Sequence, residues 1–275
     1  MKKKIYNINS KFSYKKINLE LNNFLKIYKK RPIQNNVGGC RINHAFALYY
    51  ILKKTKPKLV IESGIYKGQT TWLIEKTLPK AKLICIDIDL SKRKYISKKA
   101  KYSNIDFKFH DFSKIPLDTL VFFDDHVNHI ERIKEANFFK IKNIILEDNY
   151  NYKNGDFQTI KQLFENHKFA HNESFFSYLK TLFLFFIVII KKNTLTKYNA
   201  YEDINKINGR IRDFSFHKNY INNVKKNIDE YFEFPPLIKI KMKAKKPLLK
   251  KINIILNKFL NELNFYNYIT FIKLK

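Results

Sequence analysis

Two acid-bearing stretches carry most of the chemistry open to this chain. The first is Leu59–Trp72, LVIESGIYKGQTTW, followed about two dozen residues after its acid by Ile84–Asp89, ICIDID. An apolar run ends in Glu62, a turn bearing Gly64 and Gly68 leads into a helix through Thr70, and a second apolar run ends in Asp87. In a doubly wound α/β domain such a turn and such an acid lie at the carboxyl ends of neighbouring strands, where they hold opposite parts of one nucleoside-bearing ligand.

The residue types narrow the ligand. Gly64 lets the chain turn sharply, and Gly68 lets a ligand approach the backbone where the helix begins. A pyrophosphate cradle wants Gly-x-Gly-x-x-Gly, and only two glycines, four apart, stand here. Glu62 suits a cation better than a pyrophosphate. S-adenosylmethionine carries an ammonium and a sulfonium, which fit that acid, while Asp87 could accept from both ribose hydroxyls.

The second stretch is Phe122–Ile130, FFDDHVNHI, with Glu147-Asp148-Asn149 some twenty residues on. Asp124, Asp125, Glu147 and Asp148 at adjacent strand ends would repel one another unless a cation neutralised them. Oxygen donors of this kind favour a hard divalent ion such as Mg²⁺. A histidine nearby, His126 or His129, could take a proton from a hydroxyl made acidic by the ion. The competing reading is that the aspartates cap the next helix and Glu147-Asp148 form a turn. Asp111 falls where an adenine edge would lie, although an exposed loop acid reads equally well. Gly38-Gly39 with His44 reads either as a functional loop or as a turn beside a core histidine.

The elements that must position these residues follow from periodicity. Residues 17 to 30 place Ile17, Leu21, Phe24, Leu25 and Tyr28 on one helical face, and Asn43 is expected to cap the apolar helix HAFALYYILKK. Leu59–Glu62, Leu83–Ile88, Ile105–Phe109, Leu120–Phe123 and Asn143–Glu147 read as strands. Thr70–Lys76, Lys92–Lys101 and Ile130–Phe139 read as helices between them. This alternation implies a parallel sheet with helices on both faces. Further on, Leu237–Lys243 alternates as a half-exposed strand, Leu248–Leu263 shows a helical face, and the end of the chain reads as a last strand.

Composition bounds the rest. The chain has 275 residues and a formal charge of +30, which suggests nucleic acid or an anionic surface. Yet the basic residues are nearly all lysine, with six arginines in no cluster, and Ile, Asn, Phe and Tyr are abundant. That bias is what a low-GC genome produces, so nucleic acid is disfavoured and a peripheral membrane contact stays open. Cys40 and Cys85 suggest reduced thiols and a cytoplasmic protein. The start lacks the apolar stretch of a secretory signal. Leu182–Ile190, LFLFFIVII, is about half the length of a membrane span.

Together, VIESGIYKGQTTW, ICIDID, the DDH segment and ILEDNY resemble a class I S-adenosylmethionine-dependent methyltransferase, nearest the metal-dependent macrocin-type O-methyltransferases and the cephalosporin-hydroxylase-like group. The resemblance covers roughly residues 57 to 150. It implies a doubly wound, Rossmann-like, mostly parallel seven-stranded sheet with its last strand antiparallel. It also implies that Glu62 and Gly64 line the methionine part, Asp87 holds the ribose and Asp111 lies near the adenine. By the same resemblance Asp124, Glu147 and Asp148 would hold Mg²⁺, and His126 with Asp125 would handle the proton. The usual third glycine is missing, and the acid–His spacing is compressed. The expected organisation is an N-terminal helical cap over 1–56 and a methyltransferase-like domain over 57–275, with an inserted lid over 150–230. The expected reaction is O-methylation of a small-molecule or sugar hydroxyl. A hydroxylase-like or nicotinamide-using enzyme on the same fold, or a basic binding module, are the alternatives.

Overall fold

The computed structural model describes residues 12–150, 157–165, 218–239, 246–250 and 254–275. The stretch Leu182–Ile190 lies outside them, as does most of the expected lid. The chain divides into two compact units, one formed by Met1–His126, Glu131–Asn149 and Asn227–Lys275, the other by Val127–Ile130 and Tyr150–Lys226.

The first unit is built on a seven-stranded sheet. Its strands are β1 (Leu59–Ser63), β2 (Lys82–Ile86), β3 (Ala100–Ser103), β4 (Leu120–Phe123), β5 (Asn143–Leu146), β6 (Ile228–Glu233) and β7 (Thr270–Leu274). They lie in the order β3-β2-β1-β4-β5-β7-β6. Strand β7 runs antiparallel between β5 and β6, and the other pairings are parallel. This is the doubly wound, mostly parallel sheet that the motifs imply. β1 and β4 are buried along their whole length, which is why both read as continuous apolar runs.

Helices α1 (Tyr14–Tyr28), α2 (Ile42–Thr55) and α3 (Gln69–Thr77) belong to this unit, and α2 and α3 carry site residues. The face of α1 read from the sequence is the buried one, with Ile17, Leu21, Phe24, Leu25 and Tyr28 all in the core. Each such side chain contributes roughly 1.5–3 kcal/mol when fully buried. Helix α2 is buried from Ile42 through Leu52, so Asn43 and His44 must find polar partners inside the protein. The helix α4 (His129–Phe138) follows β4, and α5 (Ile160–Glu165) and α6 (Lys218–Lys226) belong to the second unit. No described helix is long and apolar enough to cross a membrane.

Several local expectations are corrected. Lys92–Lys101 is not a helix: a single 3₁₀ turn, Leu90–Lys92, precedes a loop and then β3. Phe107–Phe109 is also a 3₁₀ turn, so the third strand lies several residues earlier than its apolar content suggests. As the sheet edge, β3 is only partly buried and lacks a clear alternation. Asn43 lies within α2, whose N-cap is Arg41 without a side-chain bond. Of the expected strand Leu237–Lys243, residues 237–239 form none and the rest lie outside the described residues; the sixth strand, IDEYFE, was hidden by its three acids. Among the described residues, the expected helix over 248–263 is two short pieces, Ile254–Asn257 and Leu260–Leu263.

Candidate functional site

The acids gather at the carboxyl ends of the central strands because β1, β4 and β5 are neighbours in register. Ser63 pairs with Phe123, and Phe123 with Leu146. The next residues along β4 and β5 are therefore Asp124 and Glu147, and both remain tied to the neighbouring strand: Asp124 N–H donates to Ser63 O and Glu147 N–H to Phe123 O. Asp148 follows in a left-handed backbone conformation, φ 53°. All three carboxyls crowd one place. Burial first, then the neighbouring Glu147 and Asp148, hold Asp124 well above the ordinary carboxylate range, while His126 opposes the rise. Burial and Asp148 raise Glu147 as well. The side chains of Asp124 and Glu147 act directly on one another.

Helix α2 delivers His44 to the same place. His44 is 1% exposed, and its Nδ1 lies 2.5 Å from Glu147 Oε1. Its Nε2 accepts the backbone N–H of Asn267 at 2.9 Å. The Asn267 side chain donates to Asp148 Oδ1 at 2.9 Å. Donor atoms of His44, Glu147 and Asp148 all lie within 4.8 Å of one another, close enough to surround one cation. Burial lowers the His44 pKa against the opposing pull of Asp148 and Asp124. The same helix is anchored by Asn43, which donates to Leu263 O and Phe265 O and accepts from Leu237 N–H.

The β1 turn is arranged differently from the expectation. Glu62 is fully buried: Oε2 accepts from Thr71 Oγ1 at 2.5 Å and from Cys85 Sγ at 3.2 Å, while Oε1 has no hydrogen-bond partner among the described residues. Burial pushes Glu62 up to about 7, against the opposing influence of the neighbouring Thr70, Thr71 and Cys85. Thr70 itself is buried. Gly64 (φ 95°) and Gly68 (φ 88°) both need the left-handed region. A Cβ on Gly64 would come within 2.1 Å of the Asp124 carbonyl, and one on Gly68 within 2.4 Å of the Tyr95 carbonyl. Gly68 thus makes room for another part of the backbone. Asp87 Oδ2 accepts from the N–H groups of Ile65 and Tyr66, and Oδ1 from Asp89 N–H, so it ties the β1 turn to the tip of β2.

The remaining expected residues separate. Asp125 is engaged by Ser63 Oγ at 2.5 Å and by Arg132 at 2.9 Å. Arg132 is 2% exposed and also pairs with Asp106 and Glu135, so Asp125 belongs to a buried charge network. Asp111 is exposed and accepts from Ser113 N–H, the loop-turn reading. His126 is exposed with φ 56° at the tip of β4. His129 is buried at the start of α4 and its ring packs against Phe157, in the second unit. Two residues escaped sequence reading. Asn267 lies in an aromatic stretch without a motif. Gln69, buried at the start of α3, has neither amide atom paired among the described residues; its position after Gly68 was the available signal.

Fold and site together define a doubly wound α/β protein with a carboxylate cluster and a histidine at the carboxyl ends of its central strands. No protein-family profile and no curated protein matches the chain. Among solved structures it is similar to CmcI-N160 in its apo form, at 18% identity over 38% of this chain and 52% of that one, TM-score 0.35. It is also similar to the SAH-bound methyltransferase PaMTH1 of Podospora anserina, at 10% identity over 99% of this chain and 91% of that one, TM-score 0.41. A third structure is the O-methyltransferase from Bacillus cereus in complex with SAH, at 10% identity over 98% and 93%, TM-score 0.42. The chain spans about half the length of the CmcI structure. At these identities and TM-scores the likenesses assign neither activity nor ligand.

Proposed function

We propose that this chain is an S-adenosylmethionine-dependent methyltransferase that transfers the methyl group to a hydroxyl of a small molecule or sugar with the help of a divalent cation. One observation carries the reading. Asp124, Glu147 and Asp148 crowd together at the tips of β4 and β5, where burial first and neighbouring carboxylates second hold Asp124 and Glu147 above their ordinary range. The oxygen donors gathered there suit a hard divalent ion such as Mg²⁺ or Mn²⁺. The chemistry such an ion supplies is stabilisation of negative charge on the acceptor oxygen. His126, exposed beside Asp124, is the group placed to take the hydroxyl proton. Asp125 is engaged by Ser63 and Arg132.

The cofactor reading is supported at the β1 turn by unspent polar groups. Glu62 Oε1 and both amide atoms of Gln69 are buried without partners among the described residues, which native proteins avoid unless a ligand or water completes them. Glu62 offers negative charge to the ammonium of S-adenosylmethionine. Gly64, Gly68 and Thr70 shape that turn, and Asp87 holds it against β2, where the ribose is expected. Asp111 is the weakest member of the set, since its exposed carboxylate already caps a turn. Alignment of acceptor oxygen and methyl group would supply most of the rate.

Calorimetric titration with S-adenosylmethionine, with and without Mg²⁺, tests the reading. Saturable cofactor binding is expected, together with Mg²⁺ binding that Glu147→Gln abolishes. A well-folded chain that takes up neither ligand overturns it.

A further inference from the structure

We infer that His44 is a positioning residue outside the cation's coordination shell: Asn267 fixes its tautomer, and the ring in turn fixes Glu147. This role rests on the cation reading proposed above. Proximity alone would make His44 a ligand, since its Nδ1 lies among the donor atoms of Glu147 and Asp148. The second ring nitrogen decides otherwise. Nε2 accepts the Asn267 backbone N–H at 2.9 Å, so Nε2 must keep its lone pair free. An imidazole whose Nε2 accepts a hydrogen bond carries its one proton on Nδ1. This Nδ1–H points at Glu147 Oε1, 2.5 Å away. Coordination through Nδ1 would move the proton to Nε2 and set two N–H groups against each other.

The ring has little room to escape that conflict. Asn43, its neighbour on α2, is held by the carbonyls of Leu263 and Phe265 and by the Leu237 N–H. The ring also lies edge-on to Tyr266, centroids 5.4 Å apart. Asn267 has a second task, donating its side-chain amide to Asp148 Oδ1. One residue of the segment before β7 therefore orients both carboxylates, Asp148 directly and Glu147 through His44. The donor set left for the ion is oxygen only, which selects a hard cation over Zn²⁺.

The test reads the tautomer first and the metal second. Long-range ¹H–¹⁵N spectra of histidine-labelled full-length protein without metal should show His44 with a protonated Nδ1 and a bare Nε2. That pattern should persist in saturating Mg²⁺. A protonated Nε2, or loss of the Nδ1 proton on adding Mg²⁺, overturns the inference. Calorimetry with Mg²⁺ then compares two variants, each checked for folding by circular dichroism. His44→Phe, which lacks the donor, should weaken binding about 10-fold or more. His44→Asn, whose amide nitrogen stands near the place of Nδ1, should recover most of it. Equal weakening in both variants, or weakening in neither, also overturns the role. Should His44 show the expected tautomer while the wild type binds neither Mg²⁺ nor Mn²⁺, the cation reading itself falls and the role goes with it. A wrong tautomer in a protein that does bind Mg²⁺ removes the role alone.

Discussion

Replacing Glu62 by glutamine should change how stability depends on pH, in a direction that the burial of this side chain dictates. The unfolded chain ionises Glu62 near 4.5, whereas burial keeps it protonated to about 7 in the folded protein. Below 4.5 both states hold the proton and the residue contributes no pH dependence. Between 4.5 and about 7 the unfolded state loses the proton first, so stability falls as pH rises. At about 1.4 kcal/mol per pH unit, the loss accumulates to about 3 kcal/mol by pH 8. That is a large share of the 5–15 kcal/mol typical of a domain (roughly). Glutamine keeps the shape and an acceptor for Thr71 and Cys85 but never ionises. Its amide nitrogen, buried in place of Oε1, costs about 1–3 kcal/mol at every pH, so the diagnostic quantity is the slope. Urea unfolding of both proteins from pH 4 to pH 8 is the assay. The variant should gain on the wild type by about 3 kcal/mol across that range. Parallel curves would refute the claim that Glu62 is buried against its own charge.

Other perturbations test separate parts of the structure. Arg132→Met leaves Asp106, Asp125 and Glu135 facing one another without their cation, and should cost about 3–5 kcal/mol in urea unfolding at neutral pH. Gly64→Ala adds left-handed strain of about 1–3 kcal/mol to a Cβ 2.1 Å from the Asp124 carbonyl. A large fall in melting temperature, or failure to express, is expected, and a neutral result would mean that β1 and β4 are spaced differently. Mg²⁺ at about one hundred times its Kd should raise unfolding stability by about 2.7 kcal/mol, and Glu147→Gln should erase that increment. If Glu62 meets the positive charge of S-adenosylmethionine, cofactor affinity should rise from pH 6 to pH 8 as the acid ionises. Calorimetry in buffers of different ionisation enthalpy would detect the accompanying proton release, and affinity that is flat with pH would argue against the contact.

Local pattern determined a good deal by itself. The continuous apolar runs of β1, β2, β4 and β5, the crossover helix after Gly68 and the buried face of α1 were all legible, because burial on both faces leaves an unbroken hydrophobic signature. Chain direction then placed Glu62, Asp87, Asp124, Glu147 and Asp148 at strand ends without further information. Periodicity failed at β3, a partly buried edge strand, and at the acid-rich β6. Side-chain partners were decided by tertiary packing alone. His44 and Glu147 lie 103 residues apart in the chain, and Asp148 and Asn267 lie 119 apart. The sequence offered His44 either as part of a functional loop or as a core histidine, and Asn267 not at all. The β1 acid turned inward to Thr71 and Cys85, and Arg132 claimed Asp125, for the same physical reason. A residue's type and its place on a strand follow from nearby sequence, but which lone pair meets which proton depends on how distant segments pack.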